Sequence, residues 1–195
     1  MDAMQIQIKL FLVEPAQVSA KDLVPVFHGW IQKQALPGEL LLDVADYSHV
    51  HHGPGAVLIA HESHYALDQA EGRCGLLYVR KRESKPVDAS ARLAQALRRA
   101  LYAAQLIASD AALNGRVSFR TDEWVLRTVD RLRAPNNEAS FKMLRSELTT
   151  LLRALRLTEA QLEPVGEARA PLGVRVTLRN APDLAAFLAR LPGGA

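Results

Sequence analysis

Residues 5–13, QIQIKLFLV, alternate polar and apolar side chains and then run apolar, the mark of a strand with at least one buried face. After Glu14-Pro15 the period changes. Leu23, Val26, Phe27, Trp30 and Ile31 fall on one stripe at helical spacing, with Ser19 or Asp22 as the cap and Pro25 tolerated near the first turn. Leu36-Pro37-Gly38 ends that helix. Three strand candidates follow, 39–50, 56–66 and 75–82, joined by stretches too short for a parallel crossover, so the pattern predicts an antiparallel meander. LLLDV and AVLIA are apolar at consecutive positions, as in strands covered on both faces.

The linker 84–89 leads to a helix opened by Asp88 or Ser90, whose inner face carries Leu93, Leu97, Ala100, Leu101, Ala104 and Ile107. Asn114-Gly115 closes it, and RVSFR (116–120) reads as a short strand. From Thr121 or Asp122, Trp124, Val125, Thr128, Val129 and Leu132 recur at helical spacing, with an extended reading left open for 122–133. After Ala134-Pro135-Asn136, Asn137 caps a long helix with Phe141, Leu144, Leu148, Leu151, Leu152 and Leu155 on one face. Residues 161–167 and 173–179 read as a hairpin, and Asn180 as the cap of a last helix burying Leu184, Phe187, Leu188 and Leu191; the Gly-Gly-Ala tail is expected to fray. The order β-α-β-β-β-α, then β-α-α-β-β-α, predicts an α+β fold, helices packed on an antiparallel sheet. We expect one domain over 1–195, or two subdomains, 1–85 and 115–195, joined by a helix at 88–110.

Composition permits such a core without help from metals or disulfides: 195 residues, 49% hydrophobic and 23% charged. The start, MDAMQIQIKLFLVE, has the alternation of a strand and not the continuous apolar run of a signal peptide. No apolar run approaches the ~20 residues of a membrane span. With Cys74 the single cysteine, the chain is expected in the cytoplasm, its thiol reduced. Charge is uneven, four basic against nine acidic residues in 1–79 and twenty against twelve in 80–195. Eighteen of the 24 basic residues are arginine, the residue suited to anions and nucleic acid. Arg80, Lys81, Arg82, Arg127, Arg131 and Arg133 are the candidates for an RNA-binding or anionic-surface patch, and a solvated face is the plainer reading.

Chemistry concentrates between Asp43 and His64, which hold five of the six histidines, at 49, 51, 52, 61 and 64. If Val50 pairs with Ala56 across HHGPG, Ala45 faces His61, and Asp43 and Tyr47 become its diagonal neighbours on one sheet face, ~7–8 Å away. Asp46 and Glu62 then point to the opposite face. An Asp that orients a His is the pair general base catalysis requires, so His61, Asp43 and Tyr47 are the catalytic candidates. His61, Asp43, His49, Asp46 and Glu62 are candidates for a divalent metal. The i, i+3 spacing of His61 and His64 is not the zinc protease motif, which sets two histidines at i, i+4 of a helix. The competing structural reading makes His51 and His52 turn residues and His61 a buried partner of Asp43. Gly53 and Gly55 around Pro54 offer backbone amides to a ligand, and His28, outside its helix's apolar stripe, is a further ligand candidate.

HGWIQ (28–32), DVADYSHV (43–50), GPGAVLIAHESHYALD (53–68), GLLYVRK (75–81) and DRLRAPNNEASF (130–141) resemble a family of uncharacterised bacterial proteins of similar length. The resemblance spreads over most of the chain and implies a self-contained bacterial protein with no assigned activity. In that family's pattern acidic residues are expected near His51-His52 and near His64, which counts against a site built from all five histidines. Our first expectation is a cytoplasmic accessory protein that binds a partner or small ligand, with a homodimer through strand edges in view. A metal-dependent hydrolase or acid/base enzyme centred on His61 and Asp43 is the alternative, and RNA binding a third.

Overall fold

The chain is an α+β protein, described by a computed structural model over residues 5–15, 17–50, 53–82, 88–167 and 169–192. Eight strands and four helices follow in the order β1 (Ile6–Leu12), α1 (Ala20–Lys33), β2 (Leu41–Asp46), β3 (Ala56–Ala60), β4 (Ser63–Asp68), β5 (Gly75–Arg80), α2 (Ala89–Ala108), β6 (Phe119–Thr128), α3 (Glu138–Ala154), β7 (Ala160–Val165), β8 (Leu172–Leu178) and α4 (Leu184–Arg190). The strands form one antiparallel sheet, β2-β3-β4-β5-β1-β6-β8-β7. The first strand thus lies inside the sheet, with strands of the first half on one side and of the second half on the other.

Opposed residues in paired strands share a face, so the register sorts the side chains. Ile6, Ile8 and Leu10 of β1 align with Leu76 and Tyr78 of β5 and with Trp124 and Leu126 of β6. These join the apolar faces of all four helices in one core. Phe11, Val57, Ala66 and Val125 lie on the other face, buried outside that core. Lys9 is there too, only 1% exposed, its Nζ donating to Asp68 Oδ2 at 2.5 Å and to the Ala70 carbonyl at 2.8 Å. Helix α1 packs on β2 and β3, α2 on β1 and β5, α3 on β7 and β8, and α4 against α2 and β6.

Several segments differ from the sequence reading, each for a local reason. Residues 56–66 are two strands turning at His61-Glu62, since Ile59 pairs with His64. No Gly, Asn or Pro marks that turn, so the apolar pattern reads through it. Residues 119–128 are one strand, and 122–133 is not a helix. Being central, β6 buries Trp124 and Leu126 on one face and Val125 on the other, which hides the two-residue period. The last helix is capped by Asp183, whose side chain accepts from Ala186 N–H at 2.8 Å, and not by Asn180. Pro25 sits in the second turn of α1, which starts at Ala20 after a Ser19 cap bonded to Asp22. The caps Asp88 and Asn137 stand where the sequence places them, and Trp30 and Trp124 are core residues, 4% and 0% exposed.

The connection from α1 to β2 is fixed by a buried carboxylate. Glu39 Oε1 accepts from Ser63 Oγ (2.9 Å) and Tyr65 Oη (3.1 Å), and Arg99 of α2 lies 3.0 Å away. Arg99 also reaches Glu62 Oε2 at 3.2 Å, so one guanidinium ties the β3–β4 turn, the α1–β2 link and α2 together. Burial, followed by the charge of Glu39, drives the Tyr65 hydroxyl well above its ordinary value, and burial pushes Tyr78 up to about 12. Both phenols therefore stay neutral, which Tyr65 requires to act as a donor.

Removing Glu39 takes one of two ion pairs from Arg99 and the shared acceptor from the buried Ser63 and Tyr65 hydroxyls. Glu39→Ala should cost about 3 kcal/mol, the low end for a buried pair because Glu62 still holds Arg99. Urea unfolding with an unchanged m-value and a lowered midpoint would show it.

Candidate functional site

Between Leu10 and Leu12, β1 has one residue, Phe11; between their partners on β6, Trp124 and Phe119, there are four. The surplus forms a wide bulge, a feature that re-aims side chains and clusters beside functional sites. It gathers Arg120, Asp122 and Glu123 at one point of the central strand pair. Gly75 begins β5 beside it, where a Cβ would meet the Leu10 carbonyl at 2.5 Å, so the backbones approach as only glycine permits. The Cys74 carbonyl then accepts from Leu12 N–H at 3.0 Å, which draws Arg73 and Cys74 against the bulge.

An open cleft of about 720 Å³ results, lined by Leu12, Val13, Glu14, Arg73, Cys74, Arg120, Glu123 and Arg175. Glu123 is its centre, 8% exposed. Arg73 grips it with two hydrogen bonds, Nη1 to Oε1 at 2.6 Å and Nη2 to Oε2 at 3.1 Å. Arg120 Nη1 lies 3.1 Å from Oε2, and Arg175 Nη1 3.6 Å from Oε1. Arg120 also forms a two-pronged pair with Asp122, at 2.9 and 2.6 Å. The Arg73 guanidinium lies over the Phe11 ring, 3.7 Å from its centroid, a cation–π contact that orients its plane. Three guanidiniums are thus held around one carboxylate with about 36–40% of each side chain still exposed.

The hydrogen bonds from Arg73, opposed by burial, hold the Glu123 carboxyl below the usual glutamate range, and those from Arg120 do the same for Asp122. The Cys74 thiol moves the other way, raised by burial and then by the charge of Glu14. None of the three is tuned toward neutrality, where a general acid, base or thiolate nucleophile works. The two carboxylates are thereby favoured in their charged form.

The residues singled out from sequence assemble differently. The β2–β3 register sets Asp43 opposite Ile59, and Asp46, not Val50, opposite Ala56. The turn is longer than HHGPG because Tyr47 N–H already closes on the Gly55 carbonyl at 2.8 Å. His61 lies at the two-residue turn, exposed, its N–H bonded to the Leu40 carbonyl at 2.8 Å, and Asp43 is opposite Ile59, two residues before it. Asp43 is exposed with Oδ1 accepting from Val44 N–H at 2.8 Å, and Asp46 Oδ1 accepts from Ser48 N–H at 2.8 Å. Tyr47 and His49 are exposed beyond the end of β2, and Glu62 faces Arg99. His51 and His52 lie outside the described residues. His64 is in β4, lowered in pKa by burial and then by Lys81. Among the described residues no group of three or more His, Cys, Asp or Glu is placed to hold a metal ion. The Gly53 amide is spent on the Val50 carbonyl (2.9 Å), Gly55 takes a left-handed φ of 67°, and His28 is solvent-exposed on α1.

The six basic candidates differ in burial and contacts. Arg80 is 2% exposed, its Nη1 reaching the Arg92 carbonyl at 3.5 Å, and Lys81 Nζ donates to the Ala60 carbonyl at 2.8 Å. Arg82, Arg131 and Arg133 are exposed, and Arg127 crosses the sheet beside Gly173. No helix is long and apolar enough to cross a membrane among the described residues. No family model matches the chain, and no curated protein matches it in sequence.

A depressed carboxyl stabilises the folded state above its ordinary range, and that contribution is lost as the pH falls through the folded value. Glu123→Gln should thus lower stability by about 1–2 kcal/mol near neutrality, and the gap to the wild type should close only in acid below the ordinary glutamate range. Urea midpoints taken from about pH 7 to about pH 3 check both statements.

Proposed function

We propose that the protein is an accessory factor that binds a small ligand, and that the cleft at the β1–β6 bulge receives an acidic group of that ligand, a carboxylate or a phosphate. The observation that carries this reading is the fixing of Arg73, Arg120 and Arg175 on the single buried carboxylate of Glu123. A guanidinium has five donors in a planar fork. Arg73 turns two toward Glu123, and Arg175 stands at 3.6 Å with side-chain exposure of 40%, so donors remain on the open side. Pre-orientation matters because a flexible arginine must lose side-chain freedom on binding, whereas these are already held. The bacterial cytoplasm suits a chain with one half-buried cysteine and no disulfide partner for it. The hydrolase reading centred on His61 and Asp43 and the RNA reading rest on no comparable set of contacts: His61 and Asp43 are exposed, and Arg80 and Lys81 reach backbone carbonyls.

Titration calorimetry in low-salt buffer with acetate, citrate and inorganic phosphate tests the proposal. At least one probe should bind saturably, and its affinity should fall with added salt and drop about tenfold or more in Arg175→Ala. Cys74 in the cleft wall supplies a second readout, since the bound anion should slow its alkylation by a maleimide. Absence of saturable binding by all three below ~10 mM, or binding that Arg175→Ala leaves unchanged, overturns it.

A further inference from the structure

The cleft at the bulge carries a second charge besides its arginines. The guanidiniums of Arg73, Arg120 and Arg175 stand against the carboxylates of Glu123 and Asp122, which leaves one positive charge for an anion to meet. Glu14 lines the same cleft, is solvent-exposed, and cancels that surplus. Lys9 and Asp68, which also act on the Cys74 thiol, neutralise each other. The lining is therefore neutral as a whole and divided in sign.

The two poles are close together. After burial, the charge of Glu14 is what raises the Cys74 thiol most, so the negative pole lies on the Cys74 side of the cleft. Cys74 follows directly on Arg73, whose guanidinium grips Glu123. The poles thus meet at consecutive residues, whose Cα atoms are ~3.8 Å apart. Apart from these groups the lining is aliphatic, Leu12 and Val13, and Val13 is 47% exposed.

We propose that the ligand of this cleft is an amino carboxylic acid in its zwitterionic form, its carboxylate received by the open arginine donors, its ammonium by Glu14 and its hydrocarbon part by Val13. This rests on the anion reading above and narrows it to one class. Hydrogen phosphate would bring two negative charges to a lining of no net charge and set them against Glu14, a like-charge juxtaposition. A plain monocarboxylate satisfies the arginines and makes no use of Glu14. An amino acid meets both poles and adds no net charge. A carboxylate has about four acceptor positions, so Glu14 can take an ammonium proton in addition to a contact within the chain.

Titration calorimetry with matched pairs, an amino acid and the same acid without its amine, tests the proposal. The pairs are L-leucine and isocaproate, γ-aminobutyrate and butyrate, and ε-aminocaproate and caproate, with inorganic phosphate alongside. At least one amino acid should bind the wild type about fivefold more tightly than its twin, the upper end for an ion pair with an exposed partner. Glu14→Gln should abolish that preference while the twin binds as well as before or better. Glu14→Lys should invert it, and far-UV circular dichroism confirms that both variants are folded. If the plain acids or phosphate bind in a way that needs Arg175, yet no amino acid exceeds its twin, this inference fails and the anion reading stands. It fails equally if the preference survives Glu14→Gln, which puts the ammonium on another group, or if phosphate binds more tightly than every amino acid. Should none of these probes bind, both fall together.

Discussion

The structure depends on β1 being hydrogen-bonded on both sides. Each residue of a strand has one N–H and one C=O, directed alternately to its two neighbours. Ile8 aligns with Tyr78 of β5 and Leu126 of β6, and the same holds along the strand. Neither half of the sheet can slip without unpairing the other. A one-residue slip would also move Ile6, Ile8 and Leu10 from the helix side to the opposite face. That same strand carries Lys9, and its burial requires the chain at 68–70 to fold down with a carboxylate and a carbonyl. The descent brings Arg73 over Phe11, so the cleft is a by-product of how a central strand satisfies a buried ammonium.

A second polar centre lies under the helices. Ser63, Tyr65 and Arg99 all address one oxygen of Glu39. Buried ion pairs contribute little net stability compared with a well-packed apolar core, because desolvation offsets attraction. Their distinct effect here is positional. They fix where α1 releases the chain to β2, the edge strand.

Much of the fold was legible because its elements are amphipathic and well punctuated. The stripes of α1, α2 and α3 and the caps Asp88 and Asn137 stand as the spacing predicts. The failures are equally physical. IAHESHYALD hides a turn because His61-Glu62 lacks turn residues, and that omission shifted the pairing on which the His61–Asp43 site rested. VLRTV hides a strand because both its faces are buried. The cleft was least legible of all: Arg73, Arg120, Glu123 and Arg175 come from three separate stretches, and only the structure shows the bulge that unites them. The charged run RTDE inside an otherwise apolar strand was the available signal, and it reads equally well as a helix cap.

The two tryptophans divide the molecule optically. Trp30 lies in α1, edge-on to Phe27 with ring centroids 5.3 Å apart, on the part of the sheet made by β2 and β3. Trp124 is fully enclosed in β6, next to the central strand, with its indole N–H sealed from solvent. Both emit from dry surroundings in the native protein, yet each goes red only when its own side of the sheet is wetted. With one of them replaced by phenylalanine, the fluorescence of the other reports whether the outer strands loosen before the centre or with it, and hence whether the eight strands melt as one unit.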